Sequence, residues 1–175
     1  MNNSILGSQL CFSLYSVSNA LTRQYRPFLT EFDLTYPQFV VLLALYDQDN
    51  ISLKELGEKT LFDSGTLTPL VQKLEAKEFL NRVSVAEDER VKKVILTDKA
   101  RSLKEQILDI PNQMRCSMRM SDEELTTLKQ LSKNLLQDFS VHDKFHRTLI
   151  LSGFCLLKIA KISLNSSFFP KPIKR

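Results

Sequence analysis

Two short segments with helical capping signals stand directly before a stretch that alternates like a β-strand, and this order limits the folds open to the chain. The segment Ser52-Leu-Lys-Glu55 has the form of a capping box, which predicts a short helix to about Thr60. A turn at Phe62-Asp63 follows, and Asp63 or Ser64 is the expected N-cap of a second helix, which runs to about Lys77. This stretch therefore predicts two helices joined by a tight turn.

The residues after this helix pair change to a period of two. Phe79 to Val85 and Val91 to Leu96 alternate between apolar and polar side chains, as half-buried strands do. The charged residues 86–90 lie between them, so the pattern predicts a two-stranded hairpin with a charged tip. Two helices, a tight turn and a basic hairpin together form a winged helix–turn–helix.

Helices are also predicted before this unit. Residues 5–29 repeat apolar side chains at spacings of three and four, which is typical of one long amphipathic helix. Thr35-Tyr-Pro-Gln38 gives another capping box, with its proline in the first turn, where proline is tolerated. A strongly apolar helix from Phe39 to Tyr46 follows it.

Two further helices are predicted after the hairpin. Thr97 is the expected cap of a long helix to about Met114, and Ser121-Asp-Glu-Glu124 is a third capping box that opens a helix ending near Phe139. The fold class is therefore mainly α, an α+β winged helix–turn–helix with long N- and C-terminal helices. Because these long helices are apolar on one face and have little domain to cover, we expect them to pack against a second subunit.

The predicted elements divide the chain into four parts. Residues 1–34 form an N-terminal dimerisation and sensor helix, and residues 35–97 form the DNA-binding region. Residues 98–140 form C-terminal dimerisation helices, and residues 141–175 are an unassigned basic and apolar tail. This tail holds seven of the 24 basic residues and, in Asp143, one of the 20 acidic residues. The net charge of +4 therefore comes from the tail, and any DNA binding must rest on local basic clusters.

The cysteine content and the termini indicate a reducing compartment. The chain has three cysteines, an odd number that excludes a fully paired intramolecular framework. The N-terminal sequence MNNSILGSQLC has no basic n-region of a signal peptide. The longest mainly apolar stretch, Leu149 to Ala160, is too short to span a bilayer. We therefore expect a cytoplasmic protein with no membrane partner.

Four segments, in this order and spacing, resemble the MarR family of dimeric transcriptional regulators. They are LTYPQFVVLLAL, LKELGEK, DSGTLTPLVQKLE and EDERVKKVILT. The pair Asp88-x-Arg90, six residues before Leu96-Thr97, matches the wing motif of that family. With QLCFSLY at residues 9–15, the chain is similar to the OhrR branch of organic-hydroperoxide-sensing repressors. The resemblance covers about residues 8–140 and implies a non-enzymatic DNA-binding homodimer without a cofactor.

The second helix of a helix–turn–helix lies in the major groove and places its N-terminal residues at base edges. Ser64, Thr66 and Thr68 are short hydroxyl residues at this position, and Gln72 and Lys73 follow one turn later. Their hydroxyls can contact phosphates or bases, and threonine methyls can meet thymine methyls. Relatives carry a basic residue near Gln72, so this departure alters operator preference or removes one phosphate contact. The alternative for the hydroxyl residues is plain helix capping.

The predicted hairpin carries most of the remaining basic side chains of the DNA-binding region. These are Arg82, Arg90, Lys92 and Lys93. Arg90 at the tip is the candidate for insertion into a narrow, A·T-rich minor groove, and Asp88 is expected to orient the tip. A dimer would read two half-sites about 34–36 Å apart, which implies a pseudo-palindromic operator in double-stranded DNA.

Cys11 and Tyr25 share a helical face but lie too far apart to touch within one chain. Cys11, Ser18 and Tyr25 are spaced by seven residues, and Tyr25 lies about 21 Å from Cys11 along a helix axis. An antiparallel partner helix would bring Tyr25 of one chain to Cys11 of the other. In the OhrR branch, tyrosines at the places of Tyr15, Tyr25 and Tyr36 hydrogen-bond the reactive cysteine. The alternative for Cys11 is a small buried apolar residue.

The resemblance also implies a role for Cys116, which the predicted helices place between two helices. Its separation from Cys11 is similar to that in the two-cysteine OhrR class, in which the partner subunit's cysteine resolves the oxidised thiol as an intersubunit disulfide. The one-cysteine class uses a small thiol instead. Either way, the implied switch is a reduced dimer that represses and an oxidised dimer that releases its operator, with organic hydroperoxides as the inducer.

Three other functions stay open at this stage. One is a ligand-responsive MarR-type regulator gated by a phenolic molecule, and another is a thiol-based global regulator. The third, from a different class, is a thiol peroxidase, which would need rapid turnover and a reductant. The helical spacing of His142 and His146 fits a metal pair, but no third ligand is apparent and we expect no metal.

Overall fold

The computed structural model describes residues 5–85 and 88–151, with side chains for these residues except 85–91 and 140–151. The chain divides into two compact units, Met1–Met118 and Arg119–Arg175. The helices and strands of the first unit are α1 (Leu10–Thr30), α2 (Tyr36–Asp47), β1 (Ile51–Ser52), α3 (Leu53–Thr60), α4 (Ser64–Ala76), β2 (Leu80–Val85), β3 (Asp88–Leu96), α5 (Asp98–Ser102) and α6 (Lys104–Cys116). The second unit contains α7 (Asp122–Leu151).

All three predicted capping boxes lie at helix starts. At α3, the Ser52 hydroxyl accepts from the backbone N–H of Glu55 at 3.2 Å, and the Glu55 carboxylate accepts from the backbone N–H of Ser52 at 2.8 Å. At α7, Ser121 and Glu124 form the same reciprocal pair. At α2, the Gln38 side chain accepts from the backbone N–H of Thr35 at 3.0 Å. These bonds satisfy N–H groups that the first helical turn leaves without partners.

The prediction of a helix from residue 5 was wrong, because α1 begins at Leu10. Residues 5–8 form a turn instead, in which the Ser8 hydroxyl donates to the carbonyl of Ile5 at 2.8 Å. The N–H of Gln9 donates to the carbonyl of Leu6 at 3.1 Å. Local bonds from serine compete with helical ones, so an apolar period alone does not locate the start of the helix. The consequence is that Cys11 is the second residue of α1.

The single helix predicted from Thr97 to about Met114 is divided into α5 and α6 at Leu103. Thr97 is the N-cap as predicted, and its hydroxyl accepts from the N–H of Ala100 at 3.2 Å. Leu103 packs against the core at the junction. The second helix is longer than predicted and ends at Cys116, so this cysteine closes α6 instead of lying between helices. In the second unit, α7 also runs past its predicted end near Phe139.

The hairpin belongs to a three-stranded antiparallel sheet with the order β1-β3-β2. The strand β1 pairs Ile51 with Val94, and its two residues are too short to show a period in the sequence. In the hairpin, Leu80 pairs with Leu96 and Arg82 with Val94. The strand β3 begins at Asp88, so most of the predicted tip belongs to a strand and not to a loop.

The core of the first unit lies between α2, the helix–turn–helix and the sheet. Leu42, Leu56, Val71, Leu74 and Leu80 are fully buried there. Burying an aliphatic side chain of this size contributes about 1.5–3 kcal/mol, so these contacts hold α3 and α4 at their angle. Gly57 allows the close approach, since a Cβ at this position would lie 3.2 Å from the carbonyl oxygen of Phe62. Among the helices of the described residues, none is both long and apolar enough to cross a membrane.

Candidate DNA interface and thiol site

The helix α4 has one buried and one exposed face. Leu67, Val71 and Leu74 are buried against the core, and all five residues predicted to meet DNA are exposed. Those five are Ser64, Thr66, Thr68, Gln72 and Lys73. The structure therefore brings together on one solvent-facing surface the residues that the sequence nominates for base and phosphate contacts.

The hydroxyl protons of Thr66 and Thr68 already form hydrogen bonds to acceptors at the start of α4. Asp63 caps the helix, accepting from the Thr66 N–H at 2.9 Å and from the Thr66 hydroxyl at 2.8 Å. These bonds hold the pKa of Asp63 below its ordinary value. The Thr68 hydroxyl donates to the carbonyl of Ser64 at 2.8 Å. Thr66 and Thr68 thus offer methyl groups and acceptor lone pairs to a DNA groove, a combination suited to thymine methyls and to base amino groups.

Two residues that the sequence prediction did not select lie at the centre of the exposed face of α4. Gly65 and Pro69 are exposed and share a helical face with Gln72. Both lack a long side chain, so the helix backbone at this face is open to close approach by another molecule. Their spacing of seven and three residues from Gln72 is the sequence signal that places them on this face.

Two basic residues of the wing with described side chains, Lys92 and Arg82, differ in environment. Lys92 is exposed and pairs with Ser84 across the hairpin. Arg82 is half-buried, and its guanidinium contacts the carboxylate of Glu75 from α4. The backbones of Asp88 and Arg90 lie at the start of β3, and their side chains lie outside the described residues.

Asp49 joins the base of the wing to α5. One carboxylate oxygen accepts from the N–H of Leu96 at 2.9 Å, and the other accepts from the Arg101 guanidinium at 2.9 Å. Burial pushes the pKa of Asp49 up, but the bonds from Arg101, Leu96 and Asn50 outweigh this, and the pKa lies below its ordinary value. The end of β3 is therefore held by a charged group from the loop after α2.

Tyr25 and Tyr36 lie together within one chain. Their ring centroids are 5.0 Å apart, and the Phe39 ring lies 5.7 Å from Tyr25 and 6.2 Å from Tyr36. Burial, with the neighbouring Tyr36 as a smaller cause, raises the pKa of Tyr25. Two of the three predicted sensor tyrosines thus form one aromatic cluster at the junction of α1 and α2.

Cys11 is exposed in the first turn of α1, and Tyr15 one turn later is also exposed. Because α1 is continuous from Leu10 to Thr30, Cys11 and Tyr25 are separated by about 21 Å of helix within one chain. The structure therefore does not bring Cys11 to the aromatic cluster of its own chain. Cys116 is likewise an exposed free thiol.

The face of α1 beside Cys11 is apolar and uncovered in the single chain. Leu10, Leu14 and Val17 are 64%, 42% and 51% exposed at helical spacing. Contiguous exposed apolar surface of this kind marks interaction sites in soluble proteins. The cysteine therefore sits on a surface that suits a protein partner.

A cavity of the first unit lies away from these residues. It measures about 620 Å³, and its walls include Phe32, Lys77, Phe79 and Lys99. None of the predicted sensor or DNA-binding residues lines it. In the described residues, no group of three or more His, Cys, Asp or Glu side chains is placed to hold a metal ion. The side chains of His142 and His146 lie outside the described residues.

Comparison with known proteins gives consistent matches along most of the chain. Residues 23–107 match the family model for the transcriptional regulator SarA/Rot. The organic hydroperoxide resistance transcriptional regulator of Bacillus subtilis is 38% identical over 139 residues, which cover 79% of this chain and 93% of the relative.

Two solved structures place the fold among DNA-binding regulators. Reduced AbfR bound to DNA has a TM-score of 0.69 and 29% identity, covering 77% of this chain and 92% of that chain. AbfR is a protein of Staphylococcus epidermidis, and its disulfide-formed state also has this fold. A MarR transcriptional regulator from Methanosarcina mazei Go1 shares the fold, with a TM-score of 0.62 and 21% identity over 71% of this chain and 94% of that chain.

The described part of the chain is mainly helical with a small antiparallel sheet, as in the winged helix–turn–helix fold of these regulators. The predicted fold class and family resemblance are both confirmed. With a relative of 38% identity that is matched over nearly its whole length, the chain belongs to the MarR family of DNA-binding transcriptional regulators.

Proposed function

We propose that this regulator is a homodimeric repressor that senses organic hydroperoxides through Cys11 and releases its operator when that thiol is oxidised. The observation that carries the proposal is the position of Cys11, exposed in the first turn of α1 on an uncovered apolar face. The same helix carries Tyr25 in an aromatic pair with Tyr36. Half of a thiol site therefore lies at each end of α1.

A dimer completes the site. If two α1 helices pack antiparallel and cross near Ser18, the N-terminal half of each, with its exposed Leu10, Leu14 and Val17, lies against the C-terminal half of the other. Tyr25 and Tyr36 of one protomer then face Cys11 of its partner. Burying these apolar side chains supplies the favourable free energy of the contact, at about 25 cal/mol per Å² of surface removed from water.

The proposed chemistry requires a thiolate at Cys11. The first turn of a helix presents backbone N–H groups without helical partners and a positive dipole end, and both stabilise a negative sulfur. No acidic residue lies in the first turn of α1 to oppose this effect. Phenol hydroxyls from the partner add hydrogen bonds to the charged form.

The oxidation proceeds by nucleophilic attack on the peroxide. The Cys11 thiolate attacks one oxygen of the O–O bond, which breaks and gives a sulfenic acid and an alkoxide that takes up a proton as the alcohol. In the two-cysteine version, the Cys116 thiol of the partner protomer then attacks the sulfenic sulfur, forming a disulfide and releasing water. The apolar surface around Cys11 favours organic hydroperoxides over hydrogen peroxide.

The proposed DNA contacts come from α4 and the wing. The N-terminal half of α4 enters the major groove, while Arg90 reaches the minor groove and Lys92 approaches phosphates. A two-fold dimer places two such units on half-sites about one helical turn apart, so oxidation that shifts the dimer helices disturbs both at once. In this scheme, residues 1–34 and 98–140 serve dimerisation and residues 35–97 bind DNA.

Relatives support the redox part of the proposal. The Bacillus subtilis relative is named for organic hydroperoxide resistance. The structure of AbfR is known both in the reduced state bound to DNA and in a disulfide-formed state. A regulator gated by a non-covalent ligand would need no cysteine. A thiol peroxidase would need no recognition helix.

The test is an operator mobility shift with and without cumene hydroperoxide, on the wild type and Cys11→Ser. The matched control is Cys155→Ser, at the third cysteine of the chain, which lies in the tail of residues 141–175. Wild type and Cys155→Ser should release the operator on oxidation, whereas Cys11→Ser should stay bound. Release of Cys11→Ser at the wild-type rate would exclude Cys11 as the sensor. Peroxide consumption far above one equivalent per Cys11 would favour a peroxidase instead.

A further inference from the structure

We propose that Glu75 and Arg82 form a strut that sets the position of the wing relative to the recognition helix α4. Arg82 is then a positioning residue for operator binding and not a DNA contact. This inference rests on the proposed operator interface, in which α4 and the wing meet two different grooves. Their relative position must then be fixed for both to fit one half-site.

A single carboxylate holds both the backbone and the side chain of Arg82. One oxygen of Glu75 accepts from the backbone N–H of Arg82 at 3.0 Å. The other oxygen accepts from the guanidinium Nε at 2.7 Å and lies 2.5 Å from a terminal guanidinium nitrogen. Two guanidinium nitrogens thus share one carboxylate oxygen, and charge-assisted bonds of this kind are stronger than bonds between neutral groups. The carboxylate therefore fixes the strand in position and in orientation.

The strut lies between the two elements that the proposed interface needs. Glu75 is in the last turn of α4, and Arg82 is the third residue of β2, opposite Val94 of β3. Only residues 77–79 connect α4 to β2, and Glu78 among them has a left-handed φ of 62°. A short connection with an unusual backbone conformation does not by itself fix the angle between helix and hairpin, whereas a carboxylate that binds both the backbone and the side chain of Arg82 does.

The electrostatics of the pair argue against a phosphate contact by Arg82. The side chains of Arg82 and Glu75 are 26% and 31% exposed, and the guanidinium is paired with a full negative charge. The bonds from Arg82 hold the pKa of Glu75 below its ordinary value, so the carboxylate is ionised at neutral pH. The pair as a whole is neutral and offers phosphates no net attraction. The exposed cations Lys73 and Lys92 are free to supply that attraction instead.

If Glu75 holds the wing, replacing it changes the operator affinity in the opposite direction from the one that charge repulsion predicts. A carboxylate near DNA repels phosphates, so replacing Glu75 by glutamine would strengthen binding if charge alone mattered. If Glu75 instead holds the wing, the same replacement weakens operator binding. Arg82→Lys gives a second distinction, because it keeps the positive charge but loses the planar guanidinium that places two nitrogens on one oxygen of Glu75.

The experiment measures operator affinity by fluorescence anisotropy at several salt concentrations. The variants are Glu75→Gln, Arg82→Gln, Arg82→Lys and the double variant Glu75→Gln/Arg82→Gln. The matched control is Glu78→Gln, the same chemical change at a residue whose side chain is 83% exposed and 4.0 Å from its nearest cation. Thermal melts establish that each variant is folded at the assay temperature.

We expect Glu75→Gln and each Arg82 variant to weaken operator binding about 10-fold, with the salt slope unchanged. The double variant should be no weaker than either single variant, because both remove one cross-link. Glu78→Gln should stay within about 2-fold of the wild type. Tighter binding by Glu75→Gln would overturn the inference. So would a salt slope that falls by about 0.9 in Arg82→Gln, which is the loss of one phosphate contact.

The failure of this inference is distinguishable from that of the proposed interface. Arg90→Ala measured in the same assay tests the wing contact directly. If Arg90→Ala loses specific binding while the Glu75 and Arg82 variants bind like the wild type, the wing contacts DNA and the strut proposal alone is wrong. If Arg90→Ala and the strut variants all bind like the wild type, the proposed interface is wrong as well.

Discussion

Tyr25 of α1 and Tyr36 of α2 lie with ring centroids 5.0 Å apart, and the buried ring of Phe39 contacts both. Phe39 belongs to the same core cluster as Leu67 and Val71 of the recognition helix. The aromatic pair therefore connects the proposed sensor surface to the DNA-binding helix through continuous side-chain packing. A change in the contacts of Tyr25 has a direct physical route to α4 within one protomer.

The first prediction concerns the hydroxyl of Tyr25. Tyr25→Phe keeps the ring that packs on Tyr36 and Phe39 but removes the phenol that we propose donates to Cys11 of the partner. We expect unchanged operator affinity in the reduced state and about 10-fold slower oxidation of Cys11 by cumene hydroperoxide. The rate is measured by loss of free thiol on the variant that retains only Cys11. Tyr46→Phe is the control, because its hydroxyl serves a different bond.

An unchanged oxidation rate in Tyr25→Phe, with both variants folded, would show that Tyr25 does not touch the thiol. Slower oxidation in both Tyr25→Phe and Tyr46→Phe would point to a general effect on the fold. Only slower oxidation of Cys11 in Tyr25→Phe, with an unchanged rate in Tyr46→Phe, supports the cross-subunit site.

The second prediction concerns Cys116, which is the last residue of α6 and exposed. After treatment with cumene hydroperoxide, the wild type should run as a covalent dimer on a non-reducing gel. Cys116→Ser should run as a monomer, because the sulfenic acid at Cys11 then has no partner thiol. A covalent dimer in Cys116→Ser would contradict the resolving role, and Cys155→Ser is the matched control.

The sequence predicted the arrangement of the elements better than their ends. The capping boxes at Ser52 and Ser121 fixed two helix starts, because both rest on bonds between residues three apart. The start of α1 was missed, since the turn at residues 5–8 competes with an apolar period that continues through it. The strand β1 was missed because its partner in β3 is far away in the chain.

The sequence selects candidate site residues one by one but does not show the contacts between them. Exposure of the α4 residues follows from their helical period, so the sequence already places Gln72 and Lys73 on the exposed face. The bond between Glu75 and Arg82 crosses from a helix to a strand, and no sequence period links the two. The contact of Tyr25 with Tyr36 also depends on the turn between α1 and α2.

The third prediction concerns the wing. Arg90→Ala should abolish specific operator binding at physiological salt and leave the fold intact, because its guanidinium is the proposed minor-groove contact. Arg90→Lys keeps the charge but is less suited to the narrow groove, so we expect intermediate affinity. Anisotropy with operator and with unrelated DNA of equal length separates specific from nonspecific binding. Unchanged operator affinity in Arg90→Ala would exclude the wing assignment.

The fourth prediction concerns Asp49, which holds the N–H of Leu96 and the guanidinium of Arg101. Asp49→Ala should lower the free energy of unfolding by about 1–3 kcal/mol, because the N–H of Leu96 loses its acceptor. Since the pKa of Asp49 lies below its ordinary value of 3.8, its contribution is present above that pH and is lost as the pH falls through the lowered pKa. Urea unfolding at pH 7 and at acid pH measures both effects.

Asp98→Ala is the control for Asp49, because Asp98 also faces Arg101, at 3.5 Å, but is fully exposed. Asp98→Ala should lower the free energy of unfolding far less than Asp49→Ala does. Equal losses for the two variants would show that Asp49 acts only as a surface charge and does not hold the strand.

The fifth prediction concerns Tyr46, whose buried hydroxyl donates to the carbonyl of Ala100 at 2.7 Å and so ties α2 to α5. Tyr46→Phe should lower the free energy of unfolding at pH 7 by about 1–2 kcal/mol, because that carbonyl loses its donor. Burial raises the pKa of Tyr46 to about 12 from 10.0, so above pH 10 the unfolded chain ionises first. The contribution of Tyr46 to stability is therefore full below pH 10 and is lost as the pH rises towards 12.

Urea unfolding at neutral and alkaline pH measures both effects. The free energy of unfolding should fall more steeply at alkaline pH in the wild type than in Tyr46→Phe. The exposed Tyr15 supplies the control, and a Tyr15→Phe variant with the same losses as Tyr46→Phe would contradict the role of the buried bond.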